Sequence, residues 1–199
     1  SIIGVVRFSL VESKVLRTHI IYSSFIGVGT LMMAWLAQPF LKDVGINMKH
    51  YGIIWALLNI IVGVFSFLAH RIEKKFTDLN SLFIVGLLSV LGYLLLSQNM
   101  SYVGLLILFV FYANRGYATP LLRNYINQHT DSNVRATVMS VRSFIIRISF
   151  AIIAPFIGWI ADKQGLSSAF IVMGVLIAIV SSCCLIWFVK NQKLINISR

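Results

Sequence analysis

The sequence predicts an all-α membrane protein of six transmembrane helices arranged as two three-helix repeats. Three observations carry that reading. Of 199 residues, 58% are hydrophobic and only 12% are charged, where a globular domain carries about a quarter charged residues. The mean hydropathy is +0.87. The charges are bunched between six apolar runs, each long enough to cross a bilayer at roughly 20 residues per helix.

Residues 1–17 come first. Val5, Phe8, Leu10, Val11, Val15 and Leu16 are spaced for a short amphipathic helix lying on the membrane surface, with Arg7, Lys14 and Arg17 toward water. Broken by charge, the segment does not read as a signal peptide. Residues 1–17 are expected to be a cytoplasmic linker segment, 18–190 the six-helix transmembrane bundle and 191–199 a cytoplasmic tail.

The six spans run from Thr18 to Leu41, Tyr51 to His70, Leu79 to Ser97, Ser101 to Gln128, Ala136 to Ala161, and Ser168 to Val189. They are continuously apolar over helical lengths, whereas a transmembrane strand needs only about ten alternating residues. The short connections make successive helices antiparallel. An even number of spans puts both ends on one face. Arg7, Lys14, Arg17, Arg71, Lys74, Lys75, Arg123, Arg135, Lys190, Lys193 and Arg199 fall on that face, against Lys42, Lys49 and Lys163 on the other. Both termini are therefore expected in the cytoplasm, with the chain multi-pass in the plasma or inner membrane. The net charge of +11 follows from that topology and does not call for a nucleic acid partner. Cys183 and Cys184 are adjacent in one run, which suits neither a metal pair nor an ordinary disulfide.

Polar residues are unevenly shared. Spans one, two, four and five carry them deep inside, while spans three and six are almost purely aliphatic, so the order polar, polar, greasy occurs twice. That suggests an internal repeat whose third helix faces lipid. Small-residue stripes, such as Thr137, Ser140, Ser143, Ala151, Ala154 and Gly158 in span five, are the usual means of close helix packing in lipid. Gln38, Trp55 and Asn59 could pack or line a path. Arg147 shares the span-five stripe, and Arg142 points the other way with reach to the surface. His19, His70 and His129 read as interfacial.

Span four is the most informative. Arg115 falls near its midpoint, where a guanidinium costs about 2.5 to 3.5 kcal/mol on the insertion scale. All six acids, Glu12, Asp43, Glu73, Asp78, Asp131 and Asp162, lie in loops or at span ends. Compensation for Arg115 must come from carbonyls, cavity water, an anionic small-molecule solute, or an acid outside this chain. Pro120 removes the hydrogen bond to the carbonyl of Gly116, so Gly116, Pro120 and, in span five, Pro155 are candidate hinges. No catalytic residues, metal ligands or cofactor site can be assembled: the spans hold no carboxylate pair, no His cluster and no phosphate-cradling glycine loop. An enzyme is not expected.

Arg135-Ala-Thr137, Ser140, Ser143, Arg147, Pro155, Gly158, Ala161-Asp162, Gly165 and Ala169-Phe170 resemble spans eleven and twelve of the major facilitator superfamily. Gln38-Pro39 ahead of a glycine loop and Tyr51-Gly52 are similar to its spans seven and eight. Ala69 to Lys75, including Arg71 and Lys75, resembles the second copy of that family's Gly-x-x-x-Asp-Arg cytoplasmic loop, without its Asp and regular glycine. The resemblance implies the carboxyl-terminal six of twelve spans, nearest the drug-efflux antiporters, with an amino-terminal six-helix half of the same permease as partner. It implies ion-coupled secondary transport of a small solute by alternating access, with Arg115, Arg147, Asn59, Gln38 and Trp55 along the path. The other expectation the residues leave open is a membrane-embedded structural subunit or small channel.

Overall fold

The computed structural model describes residues 2–191. The expected tail, with Lys193 and Arg199 of the basic count, lies outside the described residues but for Asn191. A short helix, α1 (Ile2–Arg7), continues into one π-helical stretch, Phe8–Glu12. Ser13 then turns extended and caps the next helix, its Oγ accepting from Leu16 N at 3.3 Å. Six long helices follow: α2 (Lys14–Asp43), α3 (Tyr51–Glu73), α4 (Asp78–Gln98), α5 (Tyr102–Gln128), α6 (Arg135–Gln164) and α7 (Leu166–Lys190). All six are long and apolar enough to cross a membrane. The described residues contain no strand.

All of these helices but α5 extend past the apolar runs at one end or both, because a cap, not the loss of hydrophobicity, stops a helix. Thr77 and Ser101 cap α4 and α5 through their hydroxyls. Gly165, at φ +89°, separates α6 from α7 in one residue, a backbone region open to glycine. α2 begins at Lys14, inside the segment expected to lie on the surface. α1 and the π-helical stretch pack inward, Val5 of the first and Leu10 of the second on a small cluster of Leu16, Ile20, Ile126 and Val138.

Exchanging α2 with α5, α3 with α6 and α4 with α7 reproduces most of the packing. α3 lies on α5 as α6 lies on α2, and α4 lies on α5 as α7 lies on α2. α4 and α7 pack on each other, and so do α2 and α5. The two three-helix repeats are thus interleaved, each lending its second helix to the first helix of the other. α6 also packs on α7, for which α3 and α4 show no counterpart of similar extent.

The greasy helices are not the most uncovered ones. In their most apolar stretches α3 is 11% and α6 only 6% buried, against 61% for α2. α4 and α7, expected to face lipid, cover much of each other. In lipid there is no hydrophobic drive between helices, so close backbone approach and hydrogen bonds decide the contacts. A Cβ on Gly29 would lie 2.5 Å from Ile177 Cδ1, and one on Gly92 would run into the ring of Phe111. Tyr22 donates to Leu82 O at 2.6 Å, and Tyr93 to Gly29 O at 2.6 Å, which ties α2 to α4 at two levels. Asn114 of α5 donates to Ser89 Oγ at 3.0 Å and to Val85 O at 3.2 Å. Ser167 of α7 bonds Ser97 O of α4.

Candidate functional site: an arginine-lined groove

α2, α5 and α6 leave a groove between them. Its inner part, 660 Å³, is lined by Ile26, Gly27, Thr30, Leu31, Trp35, Arg115, Thr119, Arg123, Arg142, Ser143, Arg147 and Phe150, among others. An adjoining hollow of 870 Å³ opens toward the end of the bundle that carries both termini, and adds Asn127, Ser132, Arg135 and Ser140. Arg123, Ser143 and Arg147 belong to both, so the two form one continuous path. Five arginines line it. Among the described residues no carboxylate does.

Depth follows from helix geometry. Arg115 is 13 residues from either end of α5, about 20 Å at 1.5 Å per residue. Arg147 sits about 18 Å into α6 and Arg142 about 10 Å, while Arg135 opens that helix. The guanidinium of Arg115 lies over the Tyr112 ring, 5.5 Å from its centroid, a cation–π contact that offsets part of its burial. Trp55 meets the same tyrosine edge-on at 6.2 Å. Trp55 therefore stands behind Arg115, one ring removed from the groove.

Arg142 is the main departure from expectation. It does not reach for the surface: it is 6% exposed, with Nε donating to Ser23 Oγ at 2.5 Å and a terminal nitrogen to Ser23 O at 3.5 Å. The slot exists because α2 is narrow there. A Cβ on Gly27 would stand 3.8 Å from that guanidinium and 2.7 Å from Ile146 Cδ1. Arg142 and Arg147 are about 140° apart on a helix wheel, yet long side chains bend both into one groove. The readable signal is the run of small residues Ser23, Ser24 and Gly27 on α2. Arg123, counted as a surface charge, and Thr30, Thr119 and Trp35 also belong to this lining.

The other expected path residues are not gathered here. Asn59 is exposed on α3 and donates to Trp55 O of its own helix at 2.8 Å. Gln38 lies at the far end of the bundle, in a separate hollow of 560 Å³ with Pro39, Lys42, Asp43 and Asp162. Gly116 marks the crossing of α5 with α3, where an added Cβ would meet Val62 O at 2.5 Å. Its carbonyl accepts from Ser66 Oγ at 2.9 Å. Pro155 is exposed on α6. Of the loop residues, Arg71 and Lys75 are exposed, with Arg71 6.0 Å from the ring of Phe67. Arg135 donates to Asn127 O at 3.3 Å at the groove mouth. Around that loop Glu73 accepts from Asn124 at 3.2 Å and Asp78 from Tyr125 at 3.3 Å, so α5 anchors both loop acids.

His19 is likewise not interfacial. The early start of α2 carries it into the bundle, 3% exposed, with ring centroids of Phe188 at 4.7 Å, His129 at 4.9 Å and Tyr125 at 5.9 Å. Among the described residues no group of three or more His, Cys, Asp or Glu could hold a metal ion.

A polar path cut into six apolar helices, built from two interleaved repeats, is an arrangement suited to passing a solute and not to making bonds. The sequence profile of the Major Facilitator Superfamily matches residues 20–196. The chain belongs to the Major Facilitator Superfamily. This is a superfamily of transporters, not enzymes, and the chain is an integral, multi-pass membrane protein with a half-transporter fold. It is similar to the uncharacterized MFS-type transporter YxaM of Bacillus subtilis (strain 168), 28% identical over 155 residues, which cover 75% of this chain and 38% of YxaM. The chain therefore spans well under half the length of that relative. No solved structure matches.

Proposed function

We propose that these six helices are the carboxyl-terminal half of a twelve-helix secondary transporter that moves a small solute by alternating access, coupled to an ion. The observation that carries the reading is the joint placement of the groove and the bare helices. α6, α2, α5 and α3 follow one another in contact, with the groove cut into α6, α2 and α5. The two helices at the ends of that row are those left almost uncovered. Gly63 on α3 and Gly158 on α6 have no described atom within 4 Å of where a Cβ would be. A second six-helix bundle of the same protein would close the groove and cover both helices, and the share of YxaM left unmatched is long enough to supply it. The distribution of basic residues favours both termini in the cytoplasm of a plasma membrane, so that the arginine path opens inward.

The test is flux in liposomes. The full-length protein should exchange solute across the bilayer and respond to an imposed ion gradient, while the 199-residue chain alone should pass nothing. Flux by the six helices alone, or none by the whole protein under any gradient, would favour the channel or structural-subunit reading instead.

A further inference from the structure

We infer that the groove takes an organic anion, its acidic head between Arg115 and Arg147 and its apolar body against Trp35 and Phe150. The inference rests on the transporter reading and names the solute class for the same site.

Charge is the first ground. Arg123 and Arg135 stand at the mouth and Arg115 and Arg147 near the midplane, a series of like charges running inward. Low-dielectric walls focus such a field and draw in the opposite sign. Arg142 is already held by Ser23 and Arg135 gives a bond to Asn127 O, which leaves Arg115, Arg123 and Arg147 to meet a ligand. The ion pair Arg7–Glu12 and the contact of His70 with Glu73 lie elsewhere. A cation would meet repulsion along the whole path, and a neutral solute would leave the deep guanidinia without counter-charge.

Shape is the second ground. Guanidinium forks match carboxylate or phosphate oxygens two at a time, whereas the hydroxyls of Thr30, Thr119 and Ser143 in the same lining donate to carbonyls of their own helices, which leaves the arginines as the donors for a ligand. Beyond Arg147, one helical turn further from the termini, the lining turns apolar: the rings of Trp35 and Phe150 are 6.0 Å apart, and Trp35 is exposed. A head that is anionic and a body that is not would satisfy both ends.

The alternative source of negative charge is a carboxylate of the other bundle, and the experiment separates the two. Full-length protein in nanodiscs is given matched sets sharing one body, phenyl, naphthyl or hexyl, and bearing a carboxylate, a phosphate, a neutral amide or an amine. Binding is read by calorimetry and flux in proteoliposomes. At least one anion should bind tenfold or more tightly than its amide and amine. Arg115→Gln and Arg147→Gln should each weaken it at least tenfold, Arg115→Lys should weaken it less, and Lys49→Gln on the far side should leave it unchanged. The carboxylate and phosphate members tell which head is preferred. An amide or amine binding as well as its anion, no binding by any anion, or anion binding untouched in both Gln variants overturns the inference. Flux of an amine or amide would then leave the transporter reading standing, whereas arginine-dependent anion binding without flux of any member would keep the site and remove transport.

Discussion

The hydroxyl of Ser66 on α3 donates to the carbonyl of Gly116 on α5 at 2.9 Å, and that carbonyl is the one Pro120 deprives of its intrahelical donor. Proline removes the i to i−4 bond and bends the helix, and in lipid no water is at hand to replace it. The neighbouring helix supplies the missing donor. Gly116 makes this possible, since a Cβ there would meet the backbone oxygen of Val62 at 2.5 Å. α3 thus satisfies the carbonyl that Pro120 leaves open in α5.

Ser66→Ala should therefore lower the stability of the full protein by about 0.6 kcal/mol and by no more than about 1.7, the mean and the maximum for interhelical bonds in membranes. In a Pro120→Ala background, where the new backbone N–H can donate to the Gly116 carbonyl again, the same change should cost little. A thermal-unfolding double-mutant cycle reads the coupling. Additive effects would show that the hydroxyl serves some other role.

Gly116→Ala and Gly63→Leu should differ in kind. The first forces two backbones apart within the six helices and should cost about 1 to 3 kcal/mol, the range for overpacking. The second meets open space here and should spare the fold of this half while impairing transport by the full protein. Normal transport by Gly63→Leu would argue that α3 faces lipid at that level.

Ser23→Ala takes the acceptor from a buried guanidinium, an interaction worth about 1.5 to 3 kcal/mol when one partner is charged. The loss should appear in melting of the full protein, and Ser24→Ala should not reproduce it. Equal shifts in both variants would count against the Arg142 contact.

Cysteines placed singly at Lys49 and Lys74, both exposed, should label from opposite sides of sealed vesicles. Labelling from one side would refute the inward placement of the termini.

Much of this is legible in the chain. The six helices match the apolar runs, because run length is a direct consequence of bilayer thickness. The repeat is visible as an alternation of polar and greasy helices, though composition says nothing of its interleaving. Arg115 and Arg147 stand out because a charge at mid-span is costly wherever it points. Arg142 and Arg123 do not, since a helix wheel gives the direction of a Cβ and not where a long side chain ends. Ser66 reads as one small residue among several. Its role depends on which carbonyl of another helix it meets, 50 residues away. For His19, a few residues at a helix start are enough to move it from the surface into the bundle.

The bond between Ser23 and Arg142 joins residues 119 positions apart in the chain. At about 5 to 20 residues per second of synthesis, Ser23 emerges roughly 6 to 24 seconds before its partner exists. The tyrosine contacts of α2 are available sooner, since Leu82 and Tyr93 follow 60 and 64 residues after Tyr22 and Gly29. Synthesis thus makes the partners available in an order: those that fasten α2 to α4 come first, and the third wall of the groove exists only once α6 has been made.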